Sequence, residues 1–144
     1  MQCIDTTEIA KLSDALESVL KELPEMRKKA HEEIGADILK IVRKNIGGSI
    51  NDAHGKIRGW QENYVGSRGG YAAVRPIGGK GPKGYDDSPG AITNYLESGH
   101  AARDGGRTYG RYFYRGSTSE AERVGEKRAD ALAEEIAKKL EGKR

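Results

Sequence analysis

The chain has a single cysteine, Cys3, in 144 residues, so no disulfide can close within it, and a reducing, cytosolic setting is expected. It has no apolar run near the roughly 20 residues that a membrane-spanning helix needs, and no basic-then-apolar opening of an export signal. A soluble protein that stays where it is made is therefore expected, without a membrane partner. Histidine is scarce too: His31, His54 and His100 are not spaced as ligand pairs, and with one cysteine this argues against a structural zinc site. Cys3 as a nucleophile would need a neighbouring base and an ordered setting, which a chain terminus rarely offers. No cofactor is expected.

Apolar residues are sparse, 35 % against 33 % charged, so much of the chain must be solvated helix face, loop, or surface that another subunit covers. A strong excess of one charge is also missing: 25 Lys+Arg against 22 Asp+Glu give +3. That balance is too mild for a dedicated DNA binder. Its distribution is more telling. Residues 1–46 hold 8 basic and 9 acidic side chains and residues 117–144 hold 7 of each, whereas 47–116 hold 10 basic and 6 acidic. The excess sits in the middle, as suits a protein lying near nucleic acid or an acidic partner.

Length allows one domain with one core. Three segments divide it. The first, 5–46, reads as helical. Asp5-Thr6-Thr7-Glu8 is a capping box, and Ile9, Leu12, Leu16, Val19, Leu20 and Leu23 recur on one helical face. Pro24 should kink or restart the helix, and Met26, Ala30, Ile34, Ile38, Ile41, Val42 and Ile46 continue the stripe until Gly47-Gly48 ends it. The last segment, 119–141, is helical as well. Ser119-Glu120-Ala121-Glu122 is its capping box, and Ala121, Val124, Ala129, Leu132, Ile136 and Leu140 form its apolar side. Glu134-Glu135 precede Lys138-Lys139 at helix-pair spacing, and Gly142 closes it.

The centre, 57–116, differs in kind. Residues 47–116 hold 17 of the 20 glycines, three of the four prolines and all nine aromatic residues. Aromatics among turn formers predict strands and loops. Ile57 to Val65 and Tyr71 to Arg75 are expected strands, joined as a hairpin through Gly66-Ser67-Arg68-Gly69-Gly70. Residues 77–87 are expected to be a mobile loop. Ser88-Pro89 should open a short helix over 89–98, with Ser88 as N-cap, Ile92, Tyr95 and Leu96 on its apolar face and Gly99 after it. The expected fold is α+β: long N- and C-terminal amphipathic helices packed on a small, mainly antiparallel β-sheet, with a short central helix.

Candidate chemistry is thin. Gly78–Gly84 has the glycines and lysines of a phosphate loop but lacks the Lys-Ser/Thr step and a following helix. Glu97, His100, Arg103, Arg107, Arg111 and Tyr112 are the densest polar cluster and contain the parts of a small ribonuclease-type toxin. The plainer reading, which we prefer, is a helix end where cations meet the negative dipole. Arg107 to Arg115 interleaves basic and aromatic residues, as a nucleic-acid-binding module would. Tyr and Arg are equally the residues that enrich protein–protein interfaces, and with so weak a net charge that reading is favoured. The candidate subunit-interface residues are Trp60, Tyr64, Tyr71, Arg75, Tyr95, Glu97, His100, Arg111, Tyr112, Phe113 and Tyr114.

The order of these pieces carries a resemblance. A long amphipathic helix and a glycine break precede Gly59-Trp60 and Val74-Arg75-Pro76. Then come Ile92-Thr93-Asn94-Tyr95-Leu96-Glu97-Ser98-Gly99-His100, Gly110-Arg111-Tyr112-Phe113-Tyr114 and a final helix. This resembles the small tail-completion (head–tail joining) proteins of long-tailed bacteriophages and prophages, over nearly the whole chain. Such proteins often carry a Glu-x-Gly-Thr/His element followed by an Arg-Pro-Phe-like stretch; Gly110-Arg111-Tyr112-Phe113 departs from the proline version, which leaves the subfamily open. The resemblance implies a non-enzymatic structural component, assembled in the host cytoplasm and carried in the virion at the head–tail junction. It implies self-association, commonly as a ring, and contact with the head-closure or connector protein and the tail-tube protein. Nucleic-acid contact would be weak at most. The loops 66–70, 77–88 and 101–108 are candidate arms that order on assembly.

Overall fold

The computed structural model describes residues 6–142, and Cys3 and Asp5 lie outside them. The fold is α+β, with a long helix at each end. Helix α1 (Thr7–Ser49) is continuous through Pro24, one helix rather than two. Thr6 stands at its N-cap without a side-chain bond, and Glu8 pairs with Lys11 at 3.0 Å. Gly47-Gly48 does not stop the helix as expected. It runs to Ser49 and closes with the Ile50 amide donating to the Ile46 carbonyl at 3.1 Å. Each interior glycine costs about 1 kcal/mol of helix propensity, and the packing of Ile46 and Ile50 in the core offsets it.

The expected strand from Ile57 begins late, because residues 56–59 form a helical turn, α2 (Lys56–Gly59). The Asp52 carboxylate imposes that turn: it accepts from the Ile57 amide at 3.1 Å and the Arg58 amide at 3.0 Å, and bonds the Arg58 guanidinium at 3.2 Å. Burial pushes this carboxyl upward, but the two amides and the guanidinium outweigh it and hold its pKa below the ordinary value.

The expected hairpin forms from β1 (Gln61–Val65) and β2 (Ala72–Pro76), antiparallel, with Glu62 opposite Arg75 and Tyr64 opposite Ala73. Its inner positions lie across α1, where Gly35 makes room: a Cβ there would sit 2.0 Å from Asn63 Oδ1. Asn63 Nδ2 donates to the Glu32 carbonyl at 3.1 Å, and His31 Nδ1 donates to the Gly69 carbonyl at 2.8 Å. Residues 66–70, expected to be a free arm, are therefore packed on the helix. Residues 77–87 fold back on themselves at Gly81–Gly84, and the Lys83 amide donates to Asp87 at 2.7 Å.

Helix α3 (Pro89–Ser98) opens as expected, with Ser88 Oγ accepting from the Ala91 amide at 3.2 Å. After it, β3 (Gly99–Ala101) and β4 (Arg107–Tyr109) form a second antiparallel ribbon, so the β structure is two separate hairpins. Helix α4 (Thr118–Gly142) runs straight out of a tight turn at Arg115–Ser117, so Ser119 is an interior residue and not a cap. Ser117 does the anchoring, donating to the Phe113 carbonyl at 2.6 Å and accepting from Asn45 Nδ2 at 2.7 Å. From there α4 packs antiparallel along α1, with Arg128 bridging Glu33 at 3.0 Å and Asp37 at 2.8 Å, and Lys139 bonding Glu22 across the helices. Of its apolar side, Val124, Leu132, Ile136 and Leu140 are half-buried and Ala129 is exposed.

The core sits at the C-terminal end of α1. Val42, Ile46 and Phe113 are its buried centre, ringed by Ile38, Ile50, Ile57, Val74, Leu96 and Tyr114.

Candidate functional site

Nine of the eleven candidate interface residues lie in two clusters, one about the first hairpin and one about the end of α3, and Phe113 and Tyr114 lie inside the fold. On the first, alternation along the strands puts Glu62, Tyr64 and Arg75 on the face turned away from α1. The Arg75 guanidinium lies 3.6 Å from the centre of the Tyr64 ring and bonds Glu62 at 3.1 Å. Tyr71 packs beside Tyr64 with ring centres 6.1 Å apart and remains exposed. Trp60 ends α2 under the Lys56 ammonium, at 5.1 Å. This is a rigid aromatic patch held by cation–π and ion-pair contacts.

The second cluster surrounds the C-terminus of α3. Gly99 turns the chain with φ 79°, and a Cβ there would meet the Thr108 carbonyl at 2.3 Å, so no other residue fits without strain. The returning strand then satisfies the helix's last carbonyls: the Arg111 amide donates to Leu96 at 2.8 Å and the Tyr112 amide to Glu97 at 3.1 Å. The two Glu97 carboxylate oxygens accept from the Tyr114 amide at 2.9 Å and the Arg115 amide at 3.0 Å. Glu97 is thus a clamp on the 111–115 segment, a different use from the His100 partner that the ribonuclease reading requires. His100 instead packs its ring on Tyr95, centres 5.4 Å apart. Tyr112 adopts φ 51°, rare for a non-glycine, and its ring lies beneath the Arg115 guanidinium at 4.8 Å.

Phe113 and Tyr114 correct the interface expectation. Phe113 is 1 % exposed and is core, unavailable to any partner. Tyr114 points inward, its hydroxyl donating to Gln61 Oε1. Gln61 is itself 1 % exposed, and its amide nitrogen donates to the Ile57 carbonyl at 3.0 Å and to Thr93 Oγ at 3.3 Å. Burial, with the Glu97 charge second, pushes the Tyr114 hydroxyl up to about 12. A buried polar network of this kind, fully satisfied, fixes one arrangement of the elements it joins. The signal for Gln61 was its place among the inward positions of the strand, where a polar residue requires partners.

Two surfaces were missed from sequence. Four large side chains of the outer end of α1 face away from the fold: Ile9 is 68 % exposed, Leu12 38 %, Leu16 44 % and Leu20 63 %. Ala15 and Val19, on the adjoining face, are buried. The helical spacing identified this row but not which way it points. Tyr109, at 79 % the most exposed of the large apolar and aromatic side chains, stands on the β3–β4 ribbon. Between that ribbon and the end of α1 lies an open cleft of about 320 Å³, lined by Ser49, Asn51, Tyr95, His100, Tyr109 and Arg111 among others.

Among the described residues no group of His, Cys, Asp or Glu could hold a metal ion, and no helix is long and apolar enough to cross a membrane. No protein-family model, curated protein or solved structure matches the chain.

Proposed function

We propose that the chain is a structural, non-enzymatic subunit of a long-tailed phage or prophage that completes the tail and joins it to the head, working through contacts with neighbouring subunits. The observation that carries this reading is the exposed row Ile9, Leu12, Leu16 and Leu20 on one face of α1. Single exposed apolar residues are ordinary, but a contiguous row on a helix is a surface awaiting a partner. The aromatic patch of Tyr64, Tyr71 and Arg75 adds a second, pre-ordered contact surface of the composition that interfaces favour. The order of the sequence elements that resembles the tail-completion proteins supplies the identity of the partners: further copies of this chain, the head-closure or connector protein, and the tail-tube protein.

Two surfaces of different chemistry on one subunit suit heterologous contacts, which close into rings when the rotation between subunits permits. On this reading the protein assembles in the bacterial cytoplasm and is carried in the virion. Co-expression with the head-closure and tail-tube proteins of the same genetic element tests it. Affinity purification should retain at least one of them, with ring or tail-tip particles in negative stain; recovery of the chain alone from every combination refutes the reading.

A further inference from the structure

Four arginines of this protein are tied into the fold. Arg58, Arg75 and Arg128 each close an ion pair, with Asp52, with Glu62, and with Glu33 and Asp37. Arg43 donates to the carbonyls of Arg58 and Gln61 at 3.1 and 2.9 Å. Arg103, Arg107 and Arg111, on and just after the β3–β4 ribbon, are exposed and make no ion pair among the described residues. Between residues 99 and 111 the sequence has one carboxylate, Asp104, and its Oδ1 already accepts from the Gly106 amide at 3.0 Å to hold the turn. Glu97, just before the ribbon, has both oxygens on backbone amides. The ribbon thus sets three guanidinium groups against one carboxylate, an excess of +2 within 99–111 on a chain whose net charge is only +3.

Its geometry leaves that charge open to approach. The register sets Arg107 opposite Ala101 and Tyr109 opposite Gly99, so Arg107 and Tyr109 share a face whose cross-strand neighbours are the two smallest side chains. Guanidinium forks match phosphate oxygens in shape as well as charge. A two-stranded ribbon, its strands about 4.8 Å apart, fits a major groove about 12 Å wide. Single strands are held by successive aromatic platforms, and this face offers only Tyr109.

We propose that the β3–β4 ribbon, residues 99–111, is an arm that contacts the phosphate backbone of duplex DNA without regard to sequence. The contact is separate from the subunit interfaces proposed above and is measured without any protein partner.

Fluorescence anisotropy with a labelled mixed-sequence duplex of about 25 base pairs, using the full chain, tests it. Three phosphate contacts give a log–log salt slope of about −2.7, or about a fortyfold loss of affinity between 50 and 200 mM salt. The variant Arg103→Ser/Arg107→Ser/Arg111→Ser should lose at least about tenfold at 50 mM and flatten the slope. A control of equal charge change on the helices, Arg27→Ser/Arg123→Ser/Lys138→Ser, should bind nearly as wild type, with circular dichroism checking the fold of both. Three results overturn the proposal: no wild-type binding at 50 mM, equal loss in the control, or single-stranded DNA displacing the duplex at lower concentration than duplex itself.

Discussion

The two ends of α1 carry the same apolar periodicity and meet opposite fates. At the C-terminal end, Val42 and Ile46 are buried beneath the first hairpin, α3 and Phe113, and Ile41 is buried beside them. At the N-terminal end, Ile9, Leu12, Leu16 and Leu20 stay exposed, while only Ala15 and Val19 turn inward. Amphipathic spacing states which face of a helix avoids water; it does not state whether the covering surface belongs to the same chain. One end of this helix stabilises the fold, and the other keeps its apolar row exposed.

The largest effect should come from breaking the covered end. Phe113→Ala removes the aromatic centre of the core and is expected to cost about 3–5 kcal/mol, measured by urea unfolding. Gly35→Ala tests the seam between α1 and the hairpin. Its new methyl displaces the end of the Asn63 side chain, which must give up its bond to the Glu32 carbonyl, for a loss of about 1 kcal/mol. Tyr114→Phe leaves Gln61 Oε1 without its hydroxyl donor in a buried site, with an expected cost of about 1–3 kcal/mol. The same hydroxyl gives a pH signature. Its pKa is raised in the fold to about 12, so its contribution to stability is intact below the unfolded value near 10 and is lost as pH rises through about 12. Absorbance titration should show a tyrosine ionising near pH 12, and that step should vanish in Tyr114→Phe.

Asp52→Ala removes the cap of α2 and should cost about 0.5–2 kcal/mol. Because the Asp52 pKa is depressed, its contribution is present above the unfolded value near 3.9 and falls away as pH drops through the folded value. The acid limb of the unfolding curve should therefore be shallower in the variant. The smallest stability effect belongs to the exposed end: Leu12→Ser/Leu16→Ser/Leu20→Ser should change unfolding by about 0.5 kcal/mol or less per site.

The α+β class, the two long helices, the first hairpin and the Ser88-capped α3 were all legible in the sequence, because each rests on local patterns of period, turn residues and caps. The errors arose where a longer-range contact overrode a local signal. Gly47-Gly48 failed to end α1 because core packing holds the last turn. Ser119 is not a cap because α4 runs on from the turn at Arg115–Ser117, which Ser117 ties to Phe113 and to Asn45 across the fold. Residues 56–59 became helical through Asp52, five and six residues upstream of the amides it caps. Of the candidate interface, Tyr64, Tyr71, Arg75, Tyr95 and His100 form surface clusters, whereas Phe113 and Tyr114 face inward. An aromatic run such as Tyr112-Phe113-Tyr114 does not reveal which ring enters the core, since that depends on the turn imposed by Glu97.

Native mass spectrometry of the full chain, alone and with the proposed partner, the tail-tube protein of the same genetic element, tests the central claim most directly. The account predicts masses above the monomer for wild type, and their loss in the Leu12→Ser/Leu16→Ser/Leu20→Ser variant while it remains folded, its unfolding shifted by no more than about 1.5 kcal/mol in all. A wild-type protein that remains monomeric alone and in the mixture, or a variant that assembles as well as wild type, would contradict it.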